Sequence, residues 1–221
     1  MEKRKIIIGT YDTAVHDWTL AGWKLGTAEQ KTKLIDKPNG DGAWDLSTAT
    51  TDGVIKYKTR PFTASLECSE GTRMEREEKI REIINDLDGE LLEIYLPDDD
   101  KHHVVGRVQV IREYNDLAHG AVTVKATCEP WKYANEETIV TVTVSSSKQT
   151  VTLENGGKRP LVPTITVSGD SVLLEYGTDS IALSPGTYKW PNLLLMKGTP
   201  AVLTYSGSGT ATFTYREAVL E

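Results

Sequence analysis

The chain has 221 residues, 38% hydrophobic and 26% charged, with 25 Lys and Arg against 32 Asp and Glu for a formal net charge of −7. That length suits two modest domains, each with its own core, and the acidic balance argues against a protein that grips nucleic acid by neutralising phosphates. No apolar run approaches the roughly 20 residues needed to cross a bilayer, so no membrane insertion is expected. The start, Met1-Glu2-Lys3-Arg4-Lys5-Ile6-Ile7-Ile8, falls short of a signal peptide's apolar core of roughly 7–15 residues. Cys68 and Cys128 have neither a CxxC nor a His cluster around them, and no Asn-x-Ser/Thr acceptor occurs. Two buried free thiols, rather than a disulfide framework or a zinc site, are expected, with synthesis and folding in a reducing cytosol.

In chain order, Ile6-Ile7-Ile8 predicts a first strand. Trp18, Trp23 and Trp44 crowd the first 45 residues, where apolar segments are broken by glycines and polar residues, and they mark an interface region. Asn39-Gly40-Asp41-Gly42-Ala43-Trp44-Asp45-Leu46-Ser47 packs strong turn formers ahead of an apolar pair. It reads as a long ordered loop in which Asp45 accepts backbone N–H bonds from the turn it follows. Residues 54–58 and 62–68 predict a strand pair, the second placing Phe62, Ala64, Leu66 and Cys68 on one face. One helix is predicted near residues 73–88. Thr72-Arg73-Met74-Glu75 has capping-box spacing, Ile80, Ile83, Ile84 and Leu87 form an apolar stripe, and Gly89 ends it. Glu75 with Lys79 and Glu77 with Arg81 have the spacing of i, i+4 ion pairs. Residues 91–96 and 104–111 flank the turn Pro97-Asp98-Asp99-Asp100-Lys101, and residues 121–128 supply a further strand. Residues 1–133 are therefore predicted to be mainly antiparallel β with one helix packed on the sheet.

Past residue 133 the composition changes. Charged residues fall from 43 of 133 to 14 of 88, while Ser and Thr make up 23 of the last 88, alternating with Val, Leu and Ile. Strands are predicted at 138–144, 150–154, 163–167, 171–176, 179–183, 193–196, 200–205 and 209–215, a spacing that means a sandwich or barrel. Pro160 and Pro163 put their segment at a sheet edge or strand start, and Gly207-Ser208-Gly209 reads as a hairpin turn.

Catalytic chemistry is not visible. Asp98-Asp99-Asp100 lacks the spacing of a calcium loop, His102 and His103 fall on opposite faces of a strand, and no HExxH, GxSxG or Cys/His arrangement occurs. A hydrolase needs an acid and a base in one cleft, and nothing distinguishes Glu67, Glu70 or Glu93 from other surface carboxylates. No catalytic residue, metal or cofactor is assigned. The alternative to a structural protein is a carbohydrate-binding β-sandwich contacting cell-wall sugars, with Tyr188 and Trp190 as its possible sugar contacts.

The order of these pieces resembles the distal tail protein family of long-tailed, non-contractile bacteriophages and their prophages. The likeness is carried by the loop Asn39-Gly40-Asp41-Gly42-Ala43-Trp44-Asp45-Leu46, the helix and hairpin of residues 76–96 with Gly106-Arg107-Val108, and Cys128-Glu129-Pro130-Trp131-Lys132-Tyr133. Leu153-Glu154-Asn155-Gly156 through Pro163-Thr164-Ile165 and the ending Thr214-Tyr215-Arg216-Glu217-Ala218-Val219-Leu220 continue it. Asn39 and Asp41 stand where the family's loop commonly has Arg, so no salt bridge is carried over from that loop. The resemblance implies a belt-type split β-barrel domain with an α-helix over residues 1–133 and a galectin-like β-sandwich over 134–221. It further implies a homo-hexameric ring at the distal end of the virion tail, assembled in the host bacterial cytoplasm. That ring joins the tail-tube protein to the tail-tip, receptor-binding or baseplate proteins, and DNA passes through it without specific binding. Trp18, Trp23, Gly40, Asp41, Gly42, Trp44, Asp45 and Leu46 are the residues expected at the contact between subunits.

Overall fold

The computed structural model describes residues 5–49, 51, 53–143 and 148–221; residues 1–4, the basic start, and Val144, the end of the expected 138–144 strand, lie outside these. Chain contacts divide the molecule into Met1–Lys132 and Tyr133–Glu221.

The first unit contains β1 (Ile7–Ile8), β2 (Tyr11–Asp12), β3 (Thr19–Leu25), β4 (Leu34–Asp36), β5 (Ala43–Asp45), β6 (Arg60–Cys68), α1 (Arg73–Leu87), β7 (Leu91–Tyr95), β8 (His102–Asn115) and all but the last two residues of β9 (Gly120–Ala134). Its main sheet has the order β2-β1-β7-β8-β9-β6-β3 and curls into a half-barrel. The β6–β9 register sets Phe62 against Ala126, Ala64 against Val124, Leu66 against Val122 and Cys68 against Gly120. Because side chains alternate along a strand, these pairs all face inward, and each non-glycine member is buried. The expected partner strand at 54–58 does not form. Only an isolated bridge between Gln30 and Tyr57 is made there, and β3 takes the place beside β6.

The helix starts where the capping box predicts: the Thr72 hydroxyl accepts the Glu75 N–H and the Glu75 carboxylate accepts the Thr72 N–H. It ends as Gly89 adopts a φ of 84°. Ile80, Ile83 and Leu87 enter the core. Glu75 is committed to the cap, and Lys79 instead reaches Asp17 at 2.8 Å. Glu77 pairs with Arg112 of β8 through two bonds of 2.7 and 2.5 Å, leaving Arg81 at 3.7 Å. Arg76 is buried, and its guanidinium donates to the carbonyls of Gly71, Asp116 and Leu117 at 2.6, 3.0 and 3.2 Å, tying the helix start to the β8–β9 turn.

The second unit is built from β10 (Thr138–Thr143), β11 (Gln149–Leu153), β12 (Thr164–Ser168), β13 (Val172–Tyr176), β14 (Asp179–Leu183), β15 (Gly186–Lys189), β16 (Ala201–Gly207), β17 (Thr210–Tyr215) and β18 (Ala218–Val219). Two four-stranded sheets, β10-β17-β12-β15 and β11-β16-β13-β14, enclose a core that includes Ile165, Phe213, Leu153, Leu174 and Leu203. Two expectations are corrected, and one strand that the sequence did not reveal is added. Residues 193–196 form no strand but a segment with isolated bridges, in which Leu193 and Leu195 fill the core. The fourth strand of the first sheet is β15, whose Gly-Thr-Tyr-Lys sequence carries little apolar signal. Gly207-Ser208-Gly209 is not a hairpin turn, because β16 pairs with β11 and β13 while β17 pairs with β10 and β12. The chain crosses from one sheet to the other there. Gly207 allows it with a φ of 126°, and a Cβ would lie 2.5 Å from the Ser171 carbonyl.

Candidate assembly surface

The segment richest in sequence signals, residues 33–47, forms a ribbon of its own. β4 and β5 pair with each other as a two-stranded sheet, with Leu34 opposite Asp45, Ile35 opposite Trp44 and Asp36 opposite Ala43. The turn between them is closed by Lys37 N–H to Gly42 O (3.2 Å) and Gly40 N–H to Lys37 O (3.3 Å), with Asn39 and Gly42 at positive φ. The ladder continues below the strands through Leu46 N–H to Lys33 O and Lys33 N–H to the Ser47 hydroxyl, both 2.8 Å. Alternation along the two strands then puts Ile35, Trp44 and Leu46 on one face and Leu34 on the other.

These four side chains are 43%, 51%, 38% and 62% exposed, respectively. An isolated two-stranded ribbon is marginally stable in water, and contiguous apolar surface left open marks a contact region. Both features make the face bearing Ile35, Trp44 and Leu46 a candidate contact surface.

Of the residues expected at the subunit contact, Gly40, Asp41 and Gly42 lie exposed at the ribbon tip, and Trp44, Asp45 and Leu46 are exposed on its second strand. Asp45 accepts the N–H of Ser47 at 2.8 Å, downstream of the turn rather than within it, and bonding to Ser47 holds its carboxyl below the usual range. Trp23 is half-buried against the core of the first unit. Trp18 is a correction: it is 0% exposed, and its indole N–H donates to the Tyr11 hydroxyl at 3.0 Å, so it is a core residue with no face to offer a partner. Leu34 and Ile35 escaped the sequence reading. Their signal was a short apolar run placed across an Asn-Gly turn from Trp44, the pattern of a hairpin.

In the second unit Trp190 is buried, edge-on to Tyr176 with ring centroids 6.5 Å apart, so it presents no stacking face and drops out of the expected sugar contacts. Tyr188 is half-buried against the core. Asp99 is structural: it lies 2.9 Å from the His102 ring and 3.3 Å from Lys132. Burial alone would raise its carboxyl, but the bonds to His102 and Lys132 outweigh this and hold it low. Both cysteines are buried and free, and burial pushes the Cys128 thiol up to about 12. Among the described residues, no three His, Cys, Asp or Glu side chains gather to hold a metal, and no helix is long and apolar enough to cross a membrane.

The curled sheet with its helix and the two-sheet sandwich define a Dit-like fold. In particular, the chain is similar to the crystal structure of the Dit protein of phage SPP1, described as a paradigm of the hub adsorption apparatus in phages that infect Gram-positive bacteria. The TM-score is 0.69, the match covers 96% of this chain and 98% of that one, and sequence identity is 14%. No protein-family model and no curated protein sequence matches the chain.

Proposed function

We propose that the protein is a distal tail hub subunit, a member of the distal tail protein family, built into the virion at the end of a phage tail. Six copies close into a ring through the first unit. The second unit supplies the docking surface for tail-tip, receptor-binding or baseplate proteins, and the ring also contacts the tail tube. Its chemistry is assembly, carried out after synthesis in the bacterial cytoplasm.

The single observation that carries this reading is the β4–β5 ribbon, with Ile35, Trp44 and Leu46 open on one face. A ring needs a head-to-tail contact between two different patches, closing after a whole number of identical rotations. An exposed apolar ribbon supplies one such patch, and a second copy of this chain supplies the other. Residues 1–133 hold 19 basic and 24 acidic side chains, a balance suited to a channel that lets DNA slide rather than stick. The sugar-binding alternative loses support because Trp190 is buried.

The test is solution mass by light scattering together with negative-stain imaging, for the chain alone and mixed with the cognate tail-tip protein. Ring-shaped particles of six-subunit mass are expected in at least one of the two samples. A strict monomer at tens of micromolar in both refutes the proposal.

A further inference from the structure

The second unit carries an uneven distribution of charge. Residues 134–221 hold six Lys and Arg among eight Asp and Glu, yet three of the six cations, Arg159, Lys189 and Arg216, line one open groove of about 410 Å³. The groove lies across the strand ends of the β10-β17-β12-β15 sheet. Lys189 closes β15 opposite Thr164 of β12, Thr164 stands opposite Thr214 of β17, Arg216 follows β17, and Glu137 precedes β10.

Within the groove the positive charge is mostly unneutralised. The Arg159 guanidinium donates to the Tyr133 hydroxyl at 2.5 Å and sits 5.4 Å over its ring, a neutral partner on both counts. The Lys189 side chain is exposed and makes no hydrogen bond or ion pair among the described residues. Only Arg216 meets a carboxylate there, Glu137 at 3.5 Å. Two cations without an acid partner form a local attraction for an anion in a chain whose net charge is −7.

We infer that this groove binds an extended acidic peptide segment of a partner protein, with Arg159 and Lys189 taking carboxylates and Glu137 accepting a peptide N–H. The spacing favours a linear ligand. The groove runs from Lys189 to Arg216, rooted two strands apart, about 10 Å at the usual strand separation, a span that two or three residues of an extended chain cover. A peptide also brings N–H donors for Glu137, whereas a polyphosphate brings only acceptors and sets like charge against that carboxylate. Under the hub reading such a segment belongs to a protein docked on the second unit, but the inference holds for the groove whether or not the ring forms.

The test uses the full chain and a dye-labelled extended peptide with glutamates at alternate positions, followed by fluorescence anisotropy. Its glutamine counterpart and inorganic polyphosphate serve as comparisons, and the oligomeric state of each sample is read separately by light scattering. The glutamate peptide is expected to bind, the glutamine peptide not to, and added salt to release it. Lys189→Gln and Arg159→Gln should each weaken binding about two- to fivefold, and together about tenfold. Because Lys189 holds nothing in place, loss of folding does not explain an effect of K189Q. Equal binding of the glutamine peptide, binding of polyphosphate without the glutamate peptide, an unchanged K189Q, or no binding at millimolar peptide overturns the inference, whatever the oligomeric state.

Discussion

Trp44→Ser is the sharpest perturbation of the proposed ring, because the ribbon geometry fixes what it removes. Trp44 is 51% exposed. A large aromatic offers roughly 200–250 Å², so covering the exposed half takes about 110 Å² out of water, at most about 3 kcal/mol at roughly 25 cal/mol per Å². Part of that is lost to ordering the ribbon on association, which leaves about 1–2 kcal/mol, a factor of about 5–30 in the association constant at each contact. The loss recurs at every interface of a closed ring, so assembly should move to clearly higher concentration. Sedimentation velocity over a concentration series, with the tail-tip protein present where the wild type requires it, measures the shift. Leu34→Ser is the matched control, since Leu34 is just as apolar and 62% exposed but lies on the opposite ribbon face; its assembly should stay near wild type. Thermal unfolding of W44S should be almost unchanged, because Trp44 is outside the core of its unit. If W44S assembles like wild type, or if L34S and W44S weaken assembly equally, the assignment of the seated face is wrong.

Three further outcomes follow from the fold. Thr72→Ala removes the hydroxyl that accepts the Glu75 N–H and should cost about 1 kcal/mol of stability, read from urea unfolding. Gly106→Ala places a methyl 2.6 Å from the Cys128 sulfur and should destabilise by about 1–3 kcal/mol, with part of the loss recovered in the G106A/C128A double variant. Asp99, whose folded carboxyl is held low, contributes stability that is present above the ordinary aspartate range and is lost as pH falls through the folded value. Asp99→Asn should therefore be less stable than wild type near neutrality and converge with it in acid, as measured by urea midpoints against pH; a gap that persists at the acid end would show that the difference does not come from this titration.

Legibility followed the range of the interactions. The capping box of Thr72 and Glu75 and the Ile80, Ile83, Leu87 stripe were readable because their partners lie within a few residues. The alternation of Phe62, Ala64, Leu66 and Cys68 revealed an inward face in the same way. Partner choice was not readable. The 201–207 and 210–215 runs alternate alike whether they pair with each other or join opposite sheets, and only the packed sandwich sends them apart. Leu193 and Leu195 announced burial but not hydrogen bonding, so a core-filling segment looked like a strand.

The candidate surface divides along the same line. The amino-acid sequence by itself determined that the Asn39 to Gly42 segment turns, that tryptophans cluster early in the chain, and that the second half is a β structure poor in charge, since each depends on the residues' own conformational and solvation preferences. Tertiary structure alone decided that Trp18 goes inside while Trp44 stays out, and that Arg159, Lys189 and Arg216, scattered along the chain, meet in one groove. Burial and charge convergence are set by which distant strands pair, and no local preference encodes that choice.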